Sequence, residues 1–498
     1  MKLKNPEMIN KLRERILEQL KKWDVPSISI CIIKDHEVCM AEGIGKKDQE
    51  AGISADAMTL YQIASCTKAF TAASVAMLAT EEKLDMDRPV RDYIPSFRLH
   101  DEYATAHLTV RDFLSHRSGL PRHEYAWYGT GFSRDELMDH LKDLWLTAPI
   151  RYKFQYSNFN YLIAGALIEA VSGMKFEEYL EQKILRPLGM TRSKVYIEGI
   201  RSADNKALPY DHTEEYTMKG IRRIDFYKSP AENAESRTGD PTAAAGCISS
   251  CAQDMAHWLQ FMMGDGKWNG KQLIRPDLMQ LLTTPHITLA DSPLYAPQRS
   301  MNSYALGWQV HSYRGHKMCE HGGNINGFTT ETAFLPELGL GVFVSANMDV
   351  TLLADAIVLD VFDGFLDQED TDWYARLYQG NEEMFASVRA AFAAPAEQAV
   401  SNTRPSHPLA DYVGDYERPG YRRVRIESTE KGLRIDFNSF IVDLTHRHYD
   451  TFVTEGVIGE LPAGLPVTFG MDSEGRIRTV SMKLGSESGL GPIVFTKK

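Results

Sequence analysis

Apolar and polar residues change rhythm along this chain, and the changes mark its elements. From Pro6 to Trp23 the residues Ile9, Leu12, Ile16 and Leu20 recur at helical spacing, which predicts an opening helix with one apolar face. The run Ser27-Ile28-Ser29-Ile30-Cys31-Ile32-Ile33, a polar turn at Lys34-Asp35-His36 and the segment Glu37-Val38-Cys39-Met40-Ala41 predict a β-hairpin. Helical patterns then dominate to about Thr191. Strand-like segments return at 317–319, 330–335 and 341–346, where they would complete one antiparallel sheet with the first hairpin. The pattern predicts an α/β fold in which helices sandwich an antiparallel sheet and an all-helical insert stands beside it.

Beyond this unit, 367–400 is helical and charged, and Ala393-Ala394-Pro395-Ala396-Glu397 through Arg404-Pro405-Ser406-His407-Pro408 has the composition of a linker. The expected division is 1–392, a linker at 393–408, and 409–498. In the last part short β-like runs (412–416, 422–427, 432–437, 441–445, 451–454, 467–471, 477–482, 492–496) recur about every ten residues with turn residues between them, the spacing of a closed antiparallel barrel of about eight strands. A barrel that small has room inside only for side chains. Its expected role is structural or oligomeric, a contact surface for homo-oligomers, and not lipid carriage. His446 and His448 read as surface or rim residues of one strand.

Composition narrows the partners. The 498 residues carry a net charge of −12, and no Lys/Arg-rich block interrupts that balance, which excludes nucleic acid as an expected partner. Met1 to Lys22 is charged without an apolar signal core, and no apolar run approaches a membrane span. The expectation is a cytoplasmic protein, or a mature form whose signal was removed, with no membrane partner. None of the six cysteines forms Cys-x-x-Cys, and Cys247 and Cys251 have no His at ligand spacing, so neither metal nor cofactor is expected. Buried free thiols are the default for such cysteines, with Cys66 marked as a target for thiol reagents.

Chemistry enters at Ser65-Cys66-Thr67-Lys68, which precedes the apolar run 69–78. On a helix, positions i and i+3 share a face, so Ser65 and Lys68 can touch. An amine held among apolar groups has a lowered pKa and can take the proton of a serine hydroxyl. Ser-x-x-Lys recurs at Ser172 to Lys175 and Ser428 to Lys431, in contexts that do not bury the pair, so context and not the motif selects Ser65. The one Tyr-x-Asn of the chain is Tyr156-Ser157-Asn158, where a phenolate stabilised by a nearby Lys could shuttle a proton. The one His-x-Gly is His321-Gly322-Gly323, whose glycines allow close backbone approach and free N–H groups for an oxyanion. Taken singly, Tyr156 also reads as a packing Tyr with Asn158 as a helix cap, and His321 to Gly323 as a Gly-rich turn.

Together and in this order, the three motifs resemble those of the penicillin-recognising serine hydrolases: class C β-lactamases, D-Ala-D-Ala carboxypeptidases, D-aminopeptidases and related esterases. The resemblance runs from about Trp23 to Asp360 and includes Leu114-Ser115-His116-Arg117-Ser118-Gly119-Leu120-Pro121, Pro187-Leu188-Gly189-Met190, Ala245-Gly246-Cys247-Ile248-Ser249-Ser250 and Tyr304-Ala305-Leu306-Gly307-Trp308. It implies a serine β-lactamase-like fold, Ser65 as nucleophile, Lys68 as its proton acceptor and Tyr156 as general base or proton shuttle. It further implies substrate contacts at Asn158, His321, Gly322 and Gly323, and an oxyanion hole from the backbone N–H groups of Ser65 and Asn324. The terminal barrel resembles the lipocalin-like domain appended to some peptidases of this group. The lactamases and carboxypeptidases mostly carry Lys-Thr-Gly where this chain has His321-Gly322-Gly323. A partly charged His favours the D-aminopeptidase, peptidase and esterase branches over penicillin turnover. The implied activity is hydrolysis of amides or esters in small molecules or short peptides. A β-lactamase or carboxypeptidase, an acyltransferase using the same acyl-enzyme, and a non-catalytic assembly-forming relative are the alternatives.

Overall fold

The computed structural model describes residues 6–213, 216–224, 241–368, 370–393, 399–456, 463–485 and 490–498. Of the expected linker, 394–398 lies outside the described residues, as does part of the predicted helical stretch 367–400.

A nine-stranded antiparallel sheet runs in the order Ile287–Thr288, Arg299–Tyr304, Gln309–Tyr313, His316–Ile325, Phe328–Leu335, Leu340–Ala346, Ser27–Lys34, Glu37–Asp48, Ile53–Ser54. The first hairpin thus pairs with the late strands, Ile28 opposite Ala346 and Ile32 opposite Val342, as the hydrophobic pattern predicts. The Ser27–Lys34 run is buried because helices cover both faces of the sheet there. Ile28, Ile30 and Ile32 join the core with Leu12, Ile16 and Leu20 of the Pro6–Trp23 helix and Ile357 and Val361 of the Leu353–Leu366 helix. Cys31 and Ile33 join the opposite core with Phe70, Val75 and Leu259. The helical insert, which includes Val110–Leu114, Arg134–His140 and Asn158–Ser172, packs on the same side as Phe70.

Strands Arg299–Tyr304 and Gln309–Tyr313 were not legible from apolar spacing, for a physical reason. Their inward positions carry a buried polar network: His311 is hydrogen-bonded through Nε2 to Glu320 at 2.8 Å, and Arg299 pairs with the same carboxylate at 3.4 Å.

The C-terminal barrel is closed, with strands Gly414–Glu417, Val424–Thr429, Gly432–Phe437, Phe440–His448, Thr451–Thr454, Pro466–Met471, Ile477–Met482 and Ile493–Lys497. Buried positions alternate along them, as at Val424, Ile426, Leu433, Ile435 and Phe437, and the interior is filled by rings including Tyr416, Phe452, Phe469 and Phe495. Among the described residues no helix is long and apolar enough to cross a membrane.

Candidate active site

Two short strands, Tyr61–Gln62 and Ser249–Ser250, pair just ahead of the Ser65 turn. The chain then enters a 3-10 turn, Ala64–Cys66, that runs directly into the Thr67–Thr80 helix. Ser65 therefore sits in the turn before the helix and not in its first α-turn. Ala64 holds φ at +45°, a region that costs a non-glycine residue strain and that recurs at functional turns.

The expected juxtaposition of Ser65 and Lys68 is present. Lys68 Nζ lies 3.1 Å from Ser65 Oγ, 2.9 Å from Asn158 Oδ1 and 2.9 Å from the Ala245 carbonyl. The side chain is fully buried, and none of these three partners is a carboxylate. Burial, with the Arg122 charge adding to it, pulls the ammonium down to about 7, so near neutrality much of the amine is free to accept a proton. Tyr156 stands beside Ser65, and its ring centroid lies 4.8 Å from Lys68 Nζ. Burial raises the phenol well above its ordinary value, outweighing the Ser65 hydroxyl, which lowers it. Burial thus favours the neutral phenol over a phenolate at Tyr156.

Asn158 opens the Asn158–Ser172 helix, and its oxygen is taken by Lys68. The Tyr-x-Asn segment is held from behind by His116. This residue, at φ +55°, accepts through Nδ1 from the Ser157 N–H at 3.2 Å and from Asn160 at 3.0 Å, and its ring lies 4.4 Å from that of Tyr156.

His321 lies on the His316–Ile325 strand, facing the nucleophile. Its Nδ1 is 2.6 Å from the Gly322 carbonyl, which can only accept, so Nδ1 carries the proton and Nε2 accepts from the Tyr304 hydroxyl at 2.9 Å. Burial and the nearby Lys68 push the ring down to about 4. It is therefore uncharged at neutral pH, rather than partly charged. Gly323 is the point of closest approach: a Cβ there would lie 2.3 Å from the Ile63 carbonyl and 3.1 Å from the Ser65 nitrogen. Gly322 faces the other side of the sheet, toward Glu331 Oε2 at 3.1 Å from its would-be Cβ. The Asn324 side chain is likewise turned away, donating to Asp349 at 2.9 Å and Thr329 at 3.2 Å.

Cys66 is corrected as a thiol-reagent target. It is buried, its Sγ–H is 3.0 Å from the His321 carbonyl, and burial raises it to about 12. The rival Ser-x-x-Lys copies are unsuited to catalysis: Ser428, Lys431 and Lys175 are exposed, and Ser172 accepts from the Met174 N–H.

Sequence reasoning assigned no role to His116, Tyr304, Ala245 or Arg122. The first three lie in segments already singled out as family-like, which was the available signal. Arg122 follows one such segment, and its guanidinium carbon stands 5.7 Å from the Tyr156 ring centroid.

Comparison with known proteins gives the family and the fold. The family described as Beta-lactamase matches residues 12–358, and a Domain of unknown function (DUF3471) matches 398–497. An unguisins hydrolase, ungD', of Aspergillus campestris is 28% identical over 433 residues, covering 83% of this chain and 76% of its own length. The octameric penicillin-binding protein homologue from Pyrococcus abyssi superposes with a TM-score of 0.62 at 21% identity, covering 98% of this chain and 100% of its own. D-amino acid amidase from Ochrobactrum anthropi gives 0.59 at 20% identity, covering 72% and 99%.

Proposed function

The chain belongs to the beta-lactamase family and is a serine hydrolase, and from that premise we propose that it cleaves amide or ester bonds through an acyl-enzyme on Ser65, with D-configured aminoacyl peptides and amides or small esters as substrates. The observation that carries the reading is the contact of a buried amine, Lys68, with the Ser65 hydroxyl at 3.1 Å.

In this reading neutral Lys68 takes the Ser65 proton as Oγ attacks the carbonyl carbon. The backbone N–H groups of Ser65 and Asn324 receive the oxyanion. As the carbon to leaving-group bond breaks, Tyr156 gives its proton to the departing nitrogen or oxygen and regains one from the Lys68 ammonium. Water then attacks the ester, giving up its proton along the same path, and Ser65 is restored.

The hydrolase of Aspergillus supports hydrolysis, the D-amino acid amidase named above supports amide substrates, and an uncharged His321 supports the choice against anionic penicillins. The octameric state of the Pyrococcus homologue supports a homo-oligomer here, which light scattering on the eluted protein would measure. The central test is incubation with p-nitrophenyl esters, D- and L-aminoacyl p-nitroanilides and nitrocefin, followed by mass spectrometry. One acyl group on the peptide containing Ser65, with faster turnover of the D-aminoacyl or ester compounds, is expected. Turnover that persists in Ser65→Ala would overturn it.

A further inference from the structure

Residues 121–130 connect the catalytic wall to the barrel. At one end the Pro121 carbonyl accepts from Ser157 Oγ at 2.9 Å, between Tyr156 and Asn158, and Arg122 stands over the Tyr156 ring while pairing with Glu124 at 3.0 Å. At the other end the segment is gripped by the barrel. His123, buried and at φ +44°, has Nε2 2.9 Å from the Trp145 carbonyl, so Nε2 is the protonated nitrogen and Nδ1 accepts from the Tyr421 hydroxyl at 2.8 Å. Asn438, in the turn between two barrel strands, donates through Nδ2 to the carbonyls of Tyr125 at 3.1 Å and Tyr128 at 2.8 Å. Arg422 donates to the Thr130 carbonyl at 3.2 Å, and Phe440 stacks on Tyr128 with centroids 6.0 Å apart. The approach is close enough that a Cβ on Gly129 would lie 2.5 Å from Ser439 Oγ.

We propose that the barrel is a working part of the active site: through Tyr421 and Asn438 it fixes the 121–130 segment, and with it the Arg122 charge and the Tyr156 wall. Tyr421 and Asn438 are thus positioning residues for the Ser65 reaction, and the inference rests on the acyl-enzyme reading above. The surrounding chemistry gives the role a readable consequence. The charged and titratable groups around Lys68 are Arg122 and Glu124 from this segment, His116 and Tyr156 from the insert, Tyr161 from the Asn158–Ser172 helix, Cys66 from its own turn and His321 from the sheet. Arg122 opposes the protonation of Lys68 more strongly than Glu124, on the same segment, favours it, so loosening the segment removes the larger of the two influences and lets the amine hold its proton to higher pH.

The test uses the full chain with Tyr421→Phe, Asn438→Gly (which keeps the positive φ of +55°) and Arg122→Gln, with Arg122→Lys as the conservative rescue. Each is checked for folding by thermal melting, and kcat/KM for p-nitrophenyl acetate is followed from pH 5 to 9. Arg122→Gln should move the acidic limb upward by about half a pH unit, and both barrel variants should move it in the same direction, which at pH 6 is roughly a threefold loss. Arg122→Lys should keep the wild-type limb. Folded Tyr421→Phe and Asn438→Gly proteins with the wild-type profile would overturn the inference alone. A wild-type protein that neither turns over the ester nor forms a Ser65 adduct would overturn the acyl-enzyme reading and this inference with it. Should Asn438→Gly fail to fold, the gentler Tyr421→Phe decides.

Discussion

The Lys68 amine lies within hydrogen-bond reach of the Ser65 hydroxyl, 3.1 Å away, and burial holds its proton affinity near 7. The base must be neutral to work, so kcat/KM should rise with pH through about 7 and level above it. Lys68→Arg, always charged, should lose about three orders of magnitude. If Lys68 and Tyr156 share one proton path, Lys68→Ala and Tyr156→Phe should each cost nearly as much as the double variant. A flat profile between pH 5 and 8 would show that Lys68 is not the acceptor, and losses that simply add would show that Lys68 and Tyr156 act independently.

The Tyr304 and His321 pair fixes an uncharged imidazole where a cation would suit a substrate carboxylate. Wild-type protein should therefore hydrolyse nitrocefin slowly relative to aminoacyl or ester substrates. His321→Lys places a second cation near Lys68, which lowers the Lys68 pKa further, so the acidic limb should shift to lower pH while carboxylate-bearing substrates gain. Nitrocefin turnover faster than that of the neutral esters in the unaltered protein would contradict the argument.

Much of the fold and of the site is legible in the amino-acid sequence. The contact of Ser65 with Lys68 is visible because an i, i+3 spacing brings side chains together in a 3-10 turn as on the helix the sequence predicts there, and the barrel because its alternation is short and regular. Local rules end where contacts are made across the chain. Nothing near Arg122 in sequence announces Tyr421 or Asn438, since the link is made by tertiary packing around His123. The strands Arg299–Tyr304 and Gln309–Tyr313 escaped because a buried network at Arg299, His311 and Glu320 replaces the apolar signal. The protonation of His321 and Tyr156 also depends on burial, which sequence does not quantify.

Cys66 adjoins the nucleophile but is enclosed, and the thiolate that reagents require is suppressed. Iodoacetamide at pH 7.5 should leave the Cys66 peptide unmodified and activity intact, with any alkylation falling on the less buried Cys39 and Cys247. Inactivation that tracks carboxamidomethylation of Cys66 would show that the turn opens in solution.

Gly322 and Gly323 are neighbours with opposite demands, and this separates their substitutions. At Gly323 an added methyl would press on the Ile63 carbonyl at 2.3 Å and the Ser65 nitrogen at 3.1 Å, both backbone atoms of the nucleophile turn. Relief requires the strand and the turn to part, which moves Ser65 relative to Lys68 and to the oxyanion donors, and displacement of about 1 Å in such a site costs on the order of a hundredfold in rate. At Gly322 the added methyl meets the end of the Glu331 side chain at 3.1 Å and the Thr330 carbonyl at an ordinary contact distance of 3.8 Å, and a side-chain end can yield by a few tenths of an ångström. Gly323→Ala should therefore lose about a hundredfold or more in kcat on any accepted ester, with Gly322→Ala within roughly tenfold of wild type. Steady-state kinetics on both folded variants checks the order, and equal losses would mean that the strand does not set the nucleophile's position.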